Sequence, residues 1–487
     1  MARRDRQQRG RRRQGRLDHG HARLDGIRPD RRRDLVQRGQ GGRLAPREFG
    51  RLARGLPRVV RRRGRRVIRS RRTAIRSWPG LLALGGALVL VAARAALPLP
   101  EIHPASVAVE LQVVRDDLAL PVSVVALDDG SGRLALTQLE GIVAIVDDDG
   151  VRSEPLLDLR SRVTGREGEQ GLYSVAIEPS ARAAARGGRR MVVAAFTERE
   201  TGDVVVAGYP LDDERWVADT SAETLLLRVP VPEPFHHGGQ VAFGPDDMLW
   251  VSIGDGEASN DFLRIAPPTA QDLRSLRGKL LRIDPFTVDD GSDTTAYRVP
   301  SDNPLVGASA HDGSPAAPEI WAYGFRNPWR FTFHPETGDV FLADVGNDRW
   351  EEINRVHAGG NHGWPSREGP ECQTFPDGPG LVDPTCPERS FVEPLVALAH
   401  LALDPRGAQA VTGGTVVRDP ALGALNGRFL FGDFVTGRVW SLDLDDGRLE
   451  LLLDTGMPLT AIATGHAGEV LLVGLNGVLA RLVAREP

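Results

Sequence analysis

The chain has 487 residues, 41% of them hydrophobic and 26% charged. That is ordinary globular composition, which excludes a fibrous or wholly disordered protein, and the length suits one large repeat architecture with extra segments. The net charge of −4 hides an asymmetry. Residues 1–76 hold 28 Arg, no Lys and 6 Asp or Glu, about +22; the remainder holds 61 − 28 = 33 basic and 65 − 6 = 59 acidic residues, about −26.

In chain order, the first segment is that basic block, residues 1–76. It lacks apolar periodicity and cannot bury enough surface to fold. A nucleic-acid arm and a disordered extension, translated from a start codon set too far upstream, both fit the composition. The extension is favoured, because the block runs into a targeting signal at residues 77–97. There "RRTAIRSWPGLLALGGALVLVAARA" offers a basic flank, an apolar stretch from Trp78 to Ala93 and "ARA" as a small-x-small cleavage site. The apolar run is slightly short for a spanning helix of ~20 residues, so a cleaved signal peptide and a membrane anchor both remain open. Either places the rest outside the cytoplasm (periplasmic, secreted or tethered facing outward). The acidic balance there argues against a nucleic-acid partner.

From residue 105 to 485 the chain is almost wholly short alternating runs between Gly, Asp and Pro turns, which predicts an all-β fold. Six units of strand, turn and strand recur: "SVVALDDGSGRLALTQLEGIVAIV", "SVAIEPSARAAARGGRRMVVAAF", "QVAFGPDDMLWVSIGDG", "RFTFHPETGDVFLADVG", "GGTVVRDPALGALNGRFLFGDFVTGRVWSLDL" and "LTAIATGHAGEVLLVGLNGVLARL". Uneven spacing with long loops predicts a six-bladed β-propeller. Its last strands would pair with residues 107–114 to close the ring and remove exposed edges. Insertions at 257–275, 286–318 and 359–394 are of a length that is usually functional or disordered, and in a propeller such loops can cover one face of the central channel. The two cysteines, Cys372 and Cys386, lie in a turn-rich loop and are expected to form one disulfide.

Four stretches carry candidate chemistry. In "FHHGGQVAFGPDDMLWVSIGDG", His236 and His237 stand at a strand mouth, where an imidazole suits general-base work or simply fills a polar turn. In "YGFRNPW", Arg326 offers a planar fork for an anion and Asn327 a two-sided amide, with Pro328 stiffening the backbone; pairing of Arg326 with a nearby carboxylate is the bland alternative. In "ADVGNDRWEEINRV", Asp344, Asp348, Glu351 and Glu352 crowd a turn, as calcium ligands or as a solvated acidic turn. Lys279, the only lysine in the chain, invites a Schiff-base reading, but its alternating neighbours favour a strand residue with a solvated tip.

Together with "GLYSVAIEP", "LRGKLLRIDP" and "GGNHGWPSREG", these motifs resemble the glucose/sorbosone dehydrogenase family. The "RNPW" and "DVGNDRWEEIN" forms are similar to the branch that includes hedgehog-interacting-type propellers. The resemblance implies a six-bladed propeller that binds pyrroloquinoline quinone (PQQ) and calcium and oxidises the anomeric hydroxyl of an aldose to a lactone, passing electrons to an external acceptor. It implies His236 as general base and Arg326 and Asn327 as cofactor contacts. It implies Gly346 and Asn347 in the turn whose carbonyls hold the cofactor calcium, and Glu352 at a second calcium site. Trp329 and Gln240 stand where the best-studied members carry glutamine and arginine. The final unit lacks their basic pair for the quinone carboxylates, for which Arg418 or Arg438 are the candidate substitutes. A non-catalytic propeller binding a glycan or protein on the same face is the second reading, and a calcium-dependent hydrolase the third.

Overall fold

The computed structural model describes residues 99–485 apart from Arg166 and the segments 257–267, 287–295, 374–385 and 387–389. The expectations for residues 1–76 and 77–97 lie outside the described residues. Among the described residues, no helix is long and apolar enough to cross a membrane.

Six sheets, antiparallel except where Ile102–Pro104 runs parallel to Leu449–Asp454, form the blades of a propeller. Their innermost strands are Pro121–Ala126, Leu172–Ile177, Gly238–Phe243, Pro328–Phe333, Val411–Val416 and Leu459–Thr464. Each touches the innermost strand of the next blade around a central axis, and the sixth touches the first. The six units expected from the sequence map one to one onto these blades. Ring closure is as anticipated, since Val109–Arg115 is the outer strand of blade 6 and pairs antiparallel with Val478–Ala484. Most second strands, such as Val470–Gly474, Val340–Asp344 and Leu249–Ile253, are buried at every position. A blade is covered on both faces by its neighbours, so those strands read as continuous apolar runs. The core accordingly divides into six apolar clusters, one at each interface between successive blades.

One irregularity repeats in every blade. The ladder between the first and second strands slips near its start: Pro121/Ser123, Leu172/Ser174, Gly238/Val241, Pro328/Arg330, Val411/Gly413 and Leu459/Ala461. A bulge adds an unpaired residue and turns its side chain. Here all six sit at one end of the axis, called the upper end below.

The turn inside unit 2 is a short helix, Ser180–Arg186, closed by Gly187 in the left-handed region (φ 71°). Cys372 and Cys386 form the expected disulfide. The insertions depart from the expectation of a single covered face. That after Phe286 leaves the lower end of blade 3, beyond the pairing of Asp284 with Arg298. That after Val356 also starts low, but climbs beside the outer strand of blade 3, where Asn361 bridges to Tyr323, and so brings residues 361–372 to the upper end.

Lys279 corrects its sequence expectation. Its side chain is wholly buried, and Nζ donates to the carbonyl oxygens of Thr269, Ala270 and Arg277 at 2.9, 3.0 and 2.6 Å. It pins the loop above blade 3 instead of extending into solvent. Burial lowers it to about 7.

Candidate functional site

His236 and His237 open the innermost strand of blade 3. The chain folds back sharply there: His236 has φ 55°, Gly238 60° and Gly239 92°. A Cβ on Gly239 would lie 2.4 Å from the Tyr173 ring, so the two glycines let this turn nest against blade 2. A non-glycine residue in the left-handed region is sparsely populated, and such strain gathers at functional sites.

The two histidines have opposite surroundings. His237 is fully buried. Its Nε2 donates to the carbonyl of Glu233 at 2.9 Å, and its Nδ1 accepts from the Tyr173 hydroxyl. Both nitrogens are used, and burial lowers its proton affinity. Among the described residues the His236 ring makes one hydrogen bond, from Nδ1 to Asp255 Oδ1 at 2.7 Å. An ionised carboxylate can only accept, so Nδ1 carries the proton and Nε2 keeps its lone pair. Asp255 is held in turn: Trp364 Nε1 donates to Oδ2 at 2.7 Å, and the Asp255 backbone N–H donates to the Arg326 carbonyl at 2.8 Å. This is a base with an orienting acid, and the acid is itself fixed.

Arg326 and Asn327 lie next to this dyad, at the mouth of blade 4. Asp344 accepts from both of their backbone N–H groups, at 2.9 and 2.7 Å. Arg326 sends Nη1 to the Val345 carbonyl at 3.1 Å, and its guanidinium carbon lies 5.5 Å from the Trp364 ring centre. Its Nε is buried and has no partner among the described residues. Asn327 is almost fully buried. Its Oδ1 accepts from Gly238 N–H at 3.0 Å, and its Nδ2 donates to both carboxylate oxygens of Glu169 at 3.1 Å. Its amide therefore ties blades 2, 3 and 4 together.

Gly346 and Asn347 form the next turn. Glu368 Oε1 accepts from four successive N–H groups, Asn347, Asp348, Arg349 and Trp350, at 2.8 to 3.2 Å. A Cβ on Gly346 would lie 1.6 Å from the Trp350 carbonyl oxygen, so only glycine closes the turn this tightly. Glu352 lies opposite Asp344 on the neighbouring strand. Its carboxylate accepts from Gly369 N–H at 2.6 Å and from Asn354 Nδ2 at 3.1 Å. Burial raises Glu352 to about 7, and burial with the nearby Glu352 charge pushes Asp344 well above the usual carboxylate range. Among the described residues, no group of three or more His, Cys, Asp or Glu is arranged as a metal cluster.

Trp329 and Arg330 form the floor beneath. Trp329 Nε1 donates to the Thr460 carbonyl at 3.0 Å, and Gln240 brackets Phe331 through Nε2 to its carbonyl and Oε1 from its N–H, at 2.8 and 2.9 Å. The two residues that depart from the best-studied members thus close the channel across blades. Arg438 is at the upper end of blade 5 and donates to the Gly407 carbonyl at 2.8 Å. Arg418 is exposed and follows the lower end of Val411–Val416, on the face away from His236. Sequence reasoning passed over Asp255, Trp364, Glu368 and Glu169. Asp255 stands inside the quoted "IGDG", and a carboxylate after a strand that faces a histidine turn is the signal that was available.

The sequence profile of the glucose/sorbosone dehydrogenase family matches residues 118–478. The chain belongs to that family. Among curated relatives, the HIPL1 protein of Arabidopsis thaliana is 33% identical over 227 residues, 44% of this chain and 31% of the relative. The Hedgehog-interacting protein of Mus musculus is 29% identical over 266 residues, 49% and 34%. The chain spans about a third of the length of these relatives. A solved structure of the PQQ-bound form of aldose sugar dehydrogenase from Streptomyces coelicolor superposes with a TM-score of 0.55 at 22% identity, covering 79% of this chain and 100% of that one. At that identity the match speaks for the propeller fold.

Proposed function

We propose that this propeller is a sugar dehydrogenase that oxidises the anomeric hydroxyl of an aldose to a lactone, with PQQ and calcium at its upper end. The observation that carries the proposal is the His236–Asp255–Trp364 chain, which leaves one imidazole nitrogen without a partner among the described residues, next to half-buried Arg326, whose Nε is likewise unpaired among them. The residues fit the two groups. Arg326 would contact the quinone above a frame set by Asn327; the carbonyls of Gly346 and Asn347 would hold the cofactor calcium, and Glu352 would serve a second calcium. Two buried carboxylates, Asp344 and Glu352, both raised by burial and by neighbouring carboxylate charge, also suit a neighbouring cation. When bound, PQQ supplies the hydride acceptor and calcium the Lewis acid beside it.

The chain's own part follows from its atoms. His236 Nε2 takes the proton of the anomeric hydroxyl as its C–H bond breaks. Asp255 stabilises the imidazolium that forms, and Trp364 stops Asp255 from turning away. Arg326 keeps positive charge at the site where negative charge grows. Asn327, through Gly238 and Glu169, fixes the distance between the histidine turn and blade 4. The family name, and the aldose sugar dehydrogenase of S. coelicolor that shares the fold, support this reading. The disulfide supports a location outside the cytoplasm.

The test is reconstitution of the full chain. The protein is titrated with PQQ and calcium and assayed for dye reduction with a panel of aldoses. Micromolar cofactor binding with sugar-dependent turnover is expected; no binding at micromolar cofactor overturns the proposal. One observation favours a second reading, a non-catalytic propeller binding a glycan or protein partner. The upper end of blade 6, "GMPLTA" and "VGLNG", offers no cation for the quinone carboxylates, and one relative is named for interacting with Hedgehog. Aldose or protein binding to this face without turnover, in cofactor-saturated protein, would decide for it.

A further inference from the structure

Arg330 has no part in the proposed reaction. Its side chain is among the buried ones, and its guanidinium donates only to backbone carbonyls. Nη2 reaches Val122 and Tyr173 at 3.0 and 3.1 Å, and Nη1 reaches Trp329 at 3.2 Å. Those carbonyls come from blades 1, 2 and 4, so the side chain lies across the axis. Among the described residues, no carboxylate forms an ion pair with it. Its guanidinium carbon lies 4.5 Å from the Trp329 ring centre, and burial lowers its proton affinity to about 9. Arginine stays charged at neutral pH even so. A buried charge without a counter-charge is the costliest kind of buried group.

Just below it the channel holds a cavity of about 230 Å³. All six innermost strands line it, through residues such as Ser123, Ser174, Gln240, Arg330, Thr415 and Thr464. Two of these lining side chains have buried polar atoms with no partner among the described residues: Arg330 Nε and Ser123 Oγ. Native interiors rarely leave such atoms unpaired, and each one calls for an explanation. A guanidinium N–H and a hydroxyl are both donors. The lining side chains include no carboxylate and no other cation. The remaining walls are small or apolar, with Val124, Val175 and Ala461 among them. Residues at the lower rim, Ala126, Thr332, Ala463 and Thr464, are only partly buried, which gives an entry from the face away from His236.

From this unpaired cation, the adjoining donor and the enclosed volume, we propose that the axial cavity is a binding site for a small monovalent anion, a halide or a short carboxylate, held by Arg330 and Ser123. The anion neutralises Arg330 and links the strands of opposite blades, so it stabilises the closed ring. The site is independent of the quinone site above it, and either can fail alone.

The test uses the full chain without PQQ. Crystals soaked in sodium bromide are expected to show an anomalous peak in the cavity within hydrogen-bond reach of Arg330. In solution, the melting temperature is followed against sodium bromide and against sodium acetate, with sodium gluconate as the bulky reference salt holding ionic strength constant. Above saturation each tenfold rise in free anion lifts the melting point by about 1–2 °C for a domain of this size. Bromide and acetate arms distinguish a halide from a carboxylate occupant. Arg330→Met removes the charge and Arg330→Gln keeps neutral donors; both are expected to lose the anion-specific rise. Bromide found only on exposed arginines, or an equal rise in all salts, overturns the proposal. The diffraction arm uses the unaltered protein, so it holds even where a variant fails to fold.

Discussion

Asp344 in blade 4 and Asp433 in blade 5 hold the same place in consecutive blades. Each ends the second strand of its sheet, and each carboxylate accepts from two successive backbone N–H groups just ahead of the innermost strand. For Asp344 these belong to Arg326 and Asn327; for Asp433 they belong to Gln409 and Ala410, at 2.8 and 2.6 Å. The scaffold device is one and the same. What differs is the side chains it carries: in blade 4 a guanidinium and an amide beside a histidine dyad, in blade 5 a glutamine and an alanine. The device secures a strand mouth, and chemistry arises where the secured residues can do some. The same split separates the upper ends of blades 2 to 4, which supply Glu169, His236, Asp255, Arg326 and Glu352, from those of blades 5, 6 and 1, which supply few ionisable groups.

The largest effect should fall on the two adjacent histidines. His236→Ala is expected to lower kcat by about 100- to 10,000-fold with cofactor affinity retained. Asp255→Asn should lower kcat too, because an amide can present its N–H to Nδ1 and reverse the tautomer. His237→Ala should leave turnover within a few-fold but cost about 1–3 kcal/mol of stability, since it removes the buried ring's bonds to Glu233 and Tyr173 and leaves a void. Steady-state kinetics and urea denaturation on the same preparations separate the two. Equal loss of turnover in both histidine variants would overturn the assignment of the base.

Next in size is Glu368. One oxygen serves four backbone donors, so Glu368→Ala exposes several unpaired N–H groups at once and should destabilise by about 2–4 kcal/mol. It should also weaken calcium binding, because it unlocks the Gly346–Asn347 turn. Calorimetric titration with calcium checks the second part; unchanged affinity would detach that turn from the metal.

The comparison of the two blades predicts a smaller, paired outcome. Asp344→Ala should cost about 1–3 kcal/mol through its lost pair of bonds, and Asp433→Ala at least as much, because its carboxylate also accepts from the Thr436 N–H and hydroxyl, both at 2.7 Å. Only the Asp344 variant should alter cofactor binding and turnover. If Asp433→Ala impairs both as strongly, the upper end of blade 5 belongs to the site.

The fold was legible because its cause is periodic. Six alternating units, each too small to bury itself, call for a ring, and the six inter-blade cores are its result. The His236–Arg326–Glu352 stretches were legible as motifs. Their partners were not, because Asp255, Trp364, Glu368 and Glu169 reach the site through tertiary contacts spanning up to 158 residues. Lys279 was misread for the same reason. Alternation around it suggested a solvated tip, whereas the loop folding over it supplies three carbonyls.

That lysine yields the smallest effect, a pH slope. Its buried amine is lowered to about 7, while the unfolded chain keeps the ordinary value near 10.5. Between these the unfolded state binds more protons than the folded one, so the lysine makes stability rise with pH across that window, and its contribution falls away as pH drops toward 7. A single group gives a slope of at most about 1.4 kcal/mol per pH unit. The three carbonyl acceptors favour the ammonium form and reduce it. Lys279→Met should flatten the slope between pH 7.5 and 9.5 (about the accessible range), measured by urea denaturation, and should loosen the loop over blade 3. With no other lysine in the chain, a slope that survives the substitution must come from groups other than a lysine, and would show that the carbonyls hold Lys279 charged throughout.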